Sequence, residues 1–197
     1  MGNWLAQLPK SSLGWLAFIR IAVGLAMLSN GINKLGVKVE GGPPDPNWLI
    51  TAAQLKGRLE GAIKSPAVDP LYRSFLEAVA LPNVEVFAAL VTFGELLVGL
   101  SLTLGLLTRL GGVGGAFLHL NYMLMKGLPT HGGYIDHLFF VLEIILAVTA
   151  AGYVLGLDGL LRARVPAWVR ALMSPSPEEA EPKPGAVAVP ERQVQPA

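Results

Sequence analysis

The sequence predicts an all-α integral membrane protein: a bundle of four transmembrane helices with a short helical cap in the first connection. Three observations predict it. Of the 197 residues, 52% are hydrophobic and only 15% charged, and mean hydropathy is +0.52, more apolar than a water-facing surface tolerates. The charges are also segregated. Val86 to Leu107 holds one acid and no base, and Glu143 is the only charge between Leu138 and Leu157. Finally, apolar stretches of this length match the roughly 20 helical residues that cross a hydrocarbon core about 30 Å thick. A chain of this size is expected to form one such domain, residues 1–173, followed by a tail.

The first span is expected over about residues 13–36. Its apolar run is too long for a signal sequence, and no small-residue cleavage site follows it, so it reads as a retained helix. It carries Arg20 near one end and closes on Asn33 and Lys34. Residues 37–83 then connect to the second span. Asp45-Pro46 and Asp69-Pro70 read as helix starts, because proline at the first helical position gives up no hydrogen bond. Trp48, Ala52, Leu55, Leu59 and Ala62 recur at helical spacing and mark a cap helix over about 46–63. Leu71, Phe75 and Val79 mark a second over about 70–80, ended by Pro82. A connection of this length without structure would be unusual. The cap either packs passively at the bundle mouth or walls a binding site.

The second span is expected over about 84–107, with a tight hairpin at Thr108-Arg109 leading into the third, about 110–127. The fourth runs over about 135–156 and ends at Leu157-Asp158-Gly159. Residues 160–173 combine arginines with apolar residues and Trp168, and are expected to lie along the membrane surface. Residues 174–197 are proline-rich and polar and read as a disordered tail. An even number of spans puts both termini on one side. Lys10, Arg162, Arg164 and Arg170 assign that side to the cytoplasm of a bacterial plasma membrane.

Composition also excludes chemistries. There is no cysteine, hence no disulfide, no cysteine-ligated iron–sulfur cluster and no thiol nucleophile. Net charge is +1 without a basic stripe, so nucleic acid is not an expected partner. Any electrons must be carried by a bound cofactor, a substrate or a partner subunit.

Ionisable groups inside a bilayer cost several kcal/mol unless paired or hydrated. Glu95 falls near the middle of the second span. His119, Tyr122 and Lys126 share one face of the third, with Asn121 beside them, and Asp136 and Glu143 share one side of the fourth. Glu143 lies roughly 12 Å deep at about 1.5 Å per residue. Glu95, His119, Glu143 and Asn30 are therefore expected to converge in the outer half of the bundle, with Arg20 at the opposite end. A carboxyl and an imidazole there could exchange protons with a quinone ring, or they could form a hydrogen-bond network that only fixes packing. The small-residue faces of the second and third spans suit close helix approach. Bis-histidine haem ligation is disfavoured, because His119 and His137 are not level. His131, Asp136 and His137 look like a solvated helix start, and no metal is expected.

Three stretches carry a family resemblance: FGELLVGLSLTLGLLTRLGGVGGAFLHLNYMLMKG at 93–127, AAGYVLGLDGLL at 150–161, and NWLITAAQLKGRLEGA at 47–62. Arg20, Gly24, Gly31 and Lys34 add to it. The sequence resembles the DoxX superfamily and, within it, the DoxD-like subunit of thiosulfate:quinone oxidoreductase. The resemblance implies a four-helix membrane fold and thiosulfate oxidation to tetrathionate, with electrons passed to quinone. Glu95, Arg109 and Asn121 match motif positions of the family, and His119 stands where many relatives carry asparagine. The candidate catalytic residues are Glu95, His119 and Glu143. The candidate cofactor-binding residues are Asn30, Asn121, Tyr122 and Arg109, with quinone as the cofactor and no haem or flavin motif. Expected partners are the lipid bilayer, a quinone or small sulfur anion, and other membrane subunits or a second copy. The alternative reading is a non-catalytic structural or anchoring subunit of a larger respiratory or photosynthetic complex.

Overall fold

The computed structural model describes residues 12–35, 52–128 and 134–180, and every regular element among them is helical. Helices α1 (Ser12–Lys34) and α4 (Val84–Leu104) are each long and apolar enough to cross a membrane. They form the most extensive helix pair. Gly24 lies against the α4 backbone at Leu102 and Thr103, and Gly99 lies against the α1 backbone at Leu28. A Cβ at either position would strike main chain, so these glycines set how closely the helices approach. Val23, Met27, Val98 and Leu102 are buried along this seam and meet Leu146 and Ala151.

Helices α5 (Thr108–Lys126) and α6 (Tyr134–Val148) form a second pair. The chain reverses from α4 into α5 within Gly105–Leu107. Both Gly105 (φ 64°) and Leu107 (φ 53°) are left-handed. Glycine adopts that conformation freely, whereas leucine must be held there. Asp158 does so, accepting from Leu107 N at 2.7 Å and Thr108 N at 3.0 Å. The hairpin thus precedes Thr108, and Thr108 and Arg109 open the helix. The α4–α5 pair is less intimate than the other two, and a groove runs between them.

The fourth apolar run, expected as helix to 156, leaves the helix at Val148 and continues as turns. The cause is Arg20. Its fully buried guanidinium donates to Ala151 O at 3.1 Å, Leu155 O at 2.8 Å, Thr103 O at 3.2 Å and, closest, Leu102 O. A buried guanidinium must satisfy its N–H donors, and the carbonyls of 151 and 155 are free to serve because the helix has ended.

The chain then closes over this end with α7 (Leu157–Leu161), a 3-10 turn (Arg162–Arg164), α8 (Ala167–Arg170) and α9 (Pro177–Ala180). Ser174, assigned by composition to a disordered tail, is instead buried. Its N–H donates to Asp158 Oδ2 at 2.8 Å and its hydroxyl accepts from Gly152 N at 2.9 Å. Residues 181–197 of that tail lie outside the described residues.

At the other end sits the cap. Helix α2 (Ala52–Lys64) is followed by α3 (Pro70–Phe75), which runs into a π-helical turn (Leu76–Ala80). Asp69 caps α3 by accepting from Leu71 N at 2.8 Å. Arg73 binds the carbonyls of Ser65 and Val68 at 2.9 and 3.1 Å, fixing the link between the two helices. Leu59, Ala62, Val68, Leu76 and Ala80 form a second apolar core, packed on Phe87 of α4 and Met125 of α5. The predicted start of the first cap helix, at Asp45-Pro46, lies outside the described residues.

Candidate functional site

A cavity of about 1040 Å³ lies beneath the cap and extends between α4 and α5. Its inner end is polar. The last turn of α1 brings Asn30, Asn33 and Lys34 to it, α4 brings Glu95, and α5 brings Asn121, Tyr122 and Lys126. Leu55 and Arg58 of α2 and Tyr72 of α3 form the roof.

Glu95 is the centre of this chamber. Only 2% of it is exposed. Its Oε1 accepts a hydrogen bond of 2.6 Å from the Tyr122 hydroxyl and pairs with Lys34 Nζ. Its Oε2 is buried with no hydrogen-bond partner among the described residues. Lys34 also stands 5.7 Å from the Tyr122 ring centroid, a cation–π contact that helps hold the ammonium in place. A second pair, Lys126 with Asp136, closes the side of the chamber. The two pairs balance four of the charges in the described lining, and Arg58 of the roof, exposed to solvent, is a fifth.

Behind Tyr122 lies a second polar layer. His119 Nδ1 shares a hydrogen bond of 2.8 Å with Glu143 Oε2, and both residues are buried. The imidazole stacks on Phe139 at 5.1 Å and meets Tyr122 edge-on at 5.6 Å. Glu143 Oε1 has no hydrogen-bond partner among the described residues. Gly115 lies directly against the Glu143 carboxyl, which fits between α5 and α6 because no Cβ is there.

The roof is bolted to α5. The Tyr72 hydroxyl donates to Asn121 Oδ1 at 3.2 Å, and Asn121 Nδ2 donates to Phe117 O at 2.7 Å. Burial pushes the Tyr72 phenol up from its ordinary pKa, so it remains a donor at neutral pH.

The structure therefore brings Glu95, Tyr122, Asn30 and Asn121 to one cavity. It sets His119 and Glu143 behind the wall. Arg109 does not join them. It donates to Ala171 O at 3.2 Å, thirteen residues from Tyr122 and so roughly 20 Å away along α5. His131 lies outside the described residues, and Asp136, considered with it for a metal, is engaged by Lys126. Sequence reasoning did not assign Lys34 to the site. The signal was available: a carboxylate in mid-span needs a cation, and Lys34 closes the helix that packs on α4.

The family model described as TQO small subunit DoxD matches residues 15–175. The chain belongs to the DoxD family. Comparison with curated proteins and with solved structures gave no match. This DoxD protein is a DoxD-like membrane protein, and its geometry divides the motif stretches into two kinds. Thr108, Arg109 and Asp158 fasten α5 to the closing segment at one end. Glu95 and Asn121 face the cavity at the other.

Proposed function

We propose that this protein is the quinone-linked subunit of a thiosulfate:quinone oxidoreductase, and that the chamber around Glu95 receives the quinone head group. The observation that carries the reading is the Glu95 carboxylate. It is buried in a largely apolar cavity, held by Tyr122 and Lys34, with one oxygen left unpartnered among the described residues. Such an oxygen is costly unless a ligand or water completes it. A neutral ring with oxygen substituents fits a chamber that offers a phenol, a carboxylate and paired charges.

Four crossing helices in a bacterial plasma membrane are part of the proposal. Large apolar side chains are exposed on all four long helices, among them Phe18 and Leu25, Leu90 and Leu97, Val113 and Phe117, and Leu138 and Val141. Soluble monomers rarely expose so much apolar surface. Helix α6 has 15 residues, roughly 22 Å at about 1.5 Å per residue, so the turns after Val148 would complete its crossing. Arg162, Arg164 and Arg170 assign the closing end to the cytoplasm.

In the overall reaction two thiosulfate ions join through a new S–S bond to give tetrathionate and release two electrons. A bound quinone supplies the acceptor, which takes those electrons with two protons to become a quinol. Glu95, Tyr122 and Lys34 orient the head group and hold exchangeable protons beside it. His119 and Glu143 form a buried reserve behind Tyr122. With no cysteine in the chain, the sulfur chemistry runs between the anion and the quinone or on a partner subunit.

One observation favours a second reading. The Lys34–Glu95–Tyr122 link joins α1, α4 and α5, which is what an anchoring subunit would need for packing alone. Purified chain in nanodiscs, given thiosulfate and a soluble quinone, separates the two. Turnover that disappears in Glu95→Gln, in a protein whose melting temperature, though lowered by loss of the Lys34 pair, stays above the assay temperature, is expected. A wild-type chain without turnover that purifies only with larger subunits would establish the anchoring reading instead.

A further inference from the structure

The cavity does not stop at the polar chamber. From Glu95 it continues as a groove between α4 and α5, past Val98 and Ser101 to Leu104 and Leu110. That is nine residues of α4, roughly 13 Å. Gly114 and Ser101 leave the middle of the groove shallow-walled, and Leu97, Leu104, Leu110 and Phe117 on its margins are exposed. The whole volume, about 1040 Å³, sits at the top of the range of about 300–1,000 Å³ usual for small-ligand pockets. A ring of head-group size does not account for it.

We infer that the groove seats the hydrocarbon chain of an isoprenoid-tailed quinone, which reaches the chamber sideways from the bilayer. The inference rests on the quinone reading above and names the form of quinone taken. Charge argues for this occupant over a phospholipid. Lys34 and Lys126 are both engaged by carboxylates, and Arg58, the third cation of the described lining, is exposed to solvent in the roof, so the buried end of the chamber offers a phosphate no unpaired cation among the described residues. Continuity argues for it over a partner helix. A helix about 10 Å across could cover the groove but could not enter the chamber with which the groove is continuous.

The chain moves from one apolar medium to another, so it adds little affinity. Its role is to admit and orient the head group. The test therefore blocks the groove rather than shortening the tail. Full-length protein and the variants Gly114→Leu and Leu110→Trp are placed in quinone-free nanodiscs. Leu110 is 47% exposed, so its variant leaves packing intact. Binding is measured for a tailed quinone with a photoreactive diazirine at the tail end, and for its tail-less head-group analogue. The groove predicts that both variants weaken the tailed quinone by about tenfold or more, the scale of an overpacked site, and leave the analogue unchanged. It also predicts photolabelling at Leu104 and Leu110 in the wild type. Labelling at Phe18 or Leu25, or tailed binding unchanged in both variants, overturns the inference while leaving the quinone reading intact. A wild-type protein that binds neither quinone overturns both.

Discussion

Asp158→Asn should open the closed end of the bundle. Asp158 is fully buried and accepts from Leu107 N, Thr108 N and Ser174 N at 2.7, 3.0 and 2.8 Å. Asparagine has nearly the same shape but presents one acceptor and one donor group. In its better orientation the amide oxygen keeps Thr108 and Ser174, and its NH₂ faces the Leu107 N–H. One charge-assisted bond is lost, about 2 kcal/mol, and two become neutral bonds, about 1 kcal/mol each. Removing a buried charge returns part of that total, so a net loss of about 2–4 kcal/mol is expected. At about 2–4 °C per kcal/mol for a chain of this size, the melting temperature should fall by roughly 5–15 °C. Scanning fluorimetry of the full chain in nanodiscs measures the fall. Limited proteolysis localises it, because residues 157–176 should become cleavable first. A fall below about 2 °C with unchanged cleavage would refute the claim that Asp158 holds Leu107 left-handed and seats α5.

Gly115→Ala puts a methyl group on the Glu143 carboxyl; an overpacking loss of about 1–3 kcal/mol should appear as a lower melting temperature together with a shifted His119 ring signal in NMR. Tyr72→Phe removes the bolt to Asn121; a stability loss of about 0.5–1.5 kcal/mol and faster cleavage in residues 52–66 are expected, with melting and cleavage both unchanged as the contrary result. Lys34→Met leaves the Glu95 carboxylate buried without its cation, a loss of about 3–5 kcal/mol, and the double variant with Glu95→Gln should recover most of it in a thermal-shift cycle. Glu179 is held below the usual carboxylate range, first by the Ser176 backbone N–H and then by Arg162. A lowered folded-state pKa means the tie is complete above the unfolded value and is lost as pH falls through the folded one. The Ser176 amide signal should therefore titrate with a midpoint below that of an ordinary glutamate, and a midpoint at or above it would contradict the tie.

What could be read from the sequence follows from which physical signals are local. Apolar purity marks α1 and α4, because a long run without charge admits few other structures. Depth along a helix is also local, so Glu95, His119 and Glu143 fall in one half of the bundle by counting residues. Rotation is not local. Tyr122 faces the cavity and His119 lies behind it because of how α5 turns against α6, and that depends on Gly112 and Gly115 meeting Glu143 and Ala147. The early end of α6 was hidden for a different reason. Thr149 to Leu155 carries no charge, and the group that takes up its carbonyls is an arginine 131 positions away from Ala151. Among the described residues Arg20 bonds only to carbonyls, and every residue carries one, so no side-chain pattern could name its partners. Ser174 misled composition in the same way: its neighbours are tail-like, but Asp158 captures its backbone N–H.

These two ends bear unequally on function. The Gly105–Arg109 hairpin and the Leu157-Asp158-Gly159 turn do their physical work together, as a latch built from one buried carboxylate, one buried guanidinium and backbone groups. That latch stands clear of the polar end of the cavity, and its Leu106 and Leu107 border only the outer end of the groove. A match to those stretches therefore reports the fold and leaves the chemistry open. Of the residues that resemble family motif positions, Glu95 and Asn121 line the cavity, and they act differently. Asn121 carries the roof through Tyr72. Glu95 presents a buried, half-satisfied carboxylate to the interior. Replacing that carboxylate with an amide tests the proposed function without touching the latch that holds the closing end together.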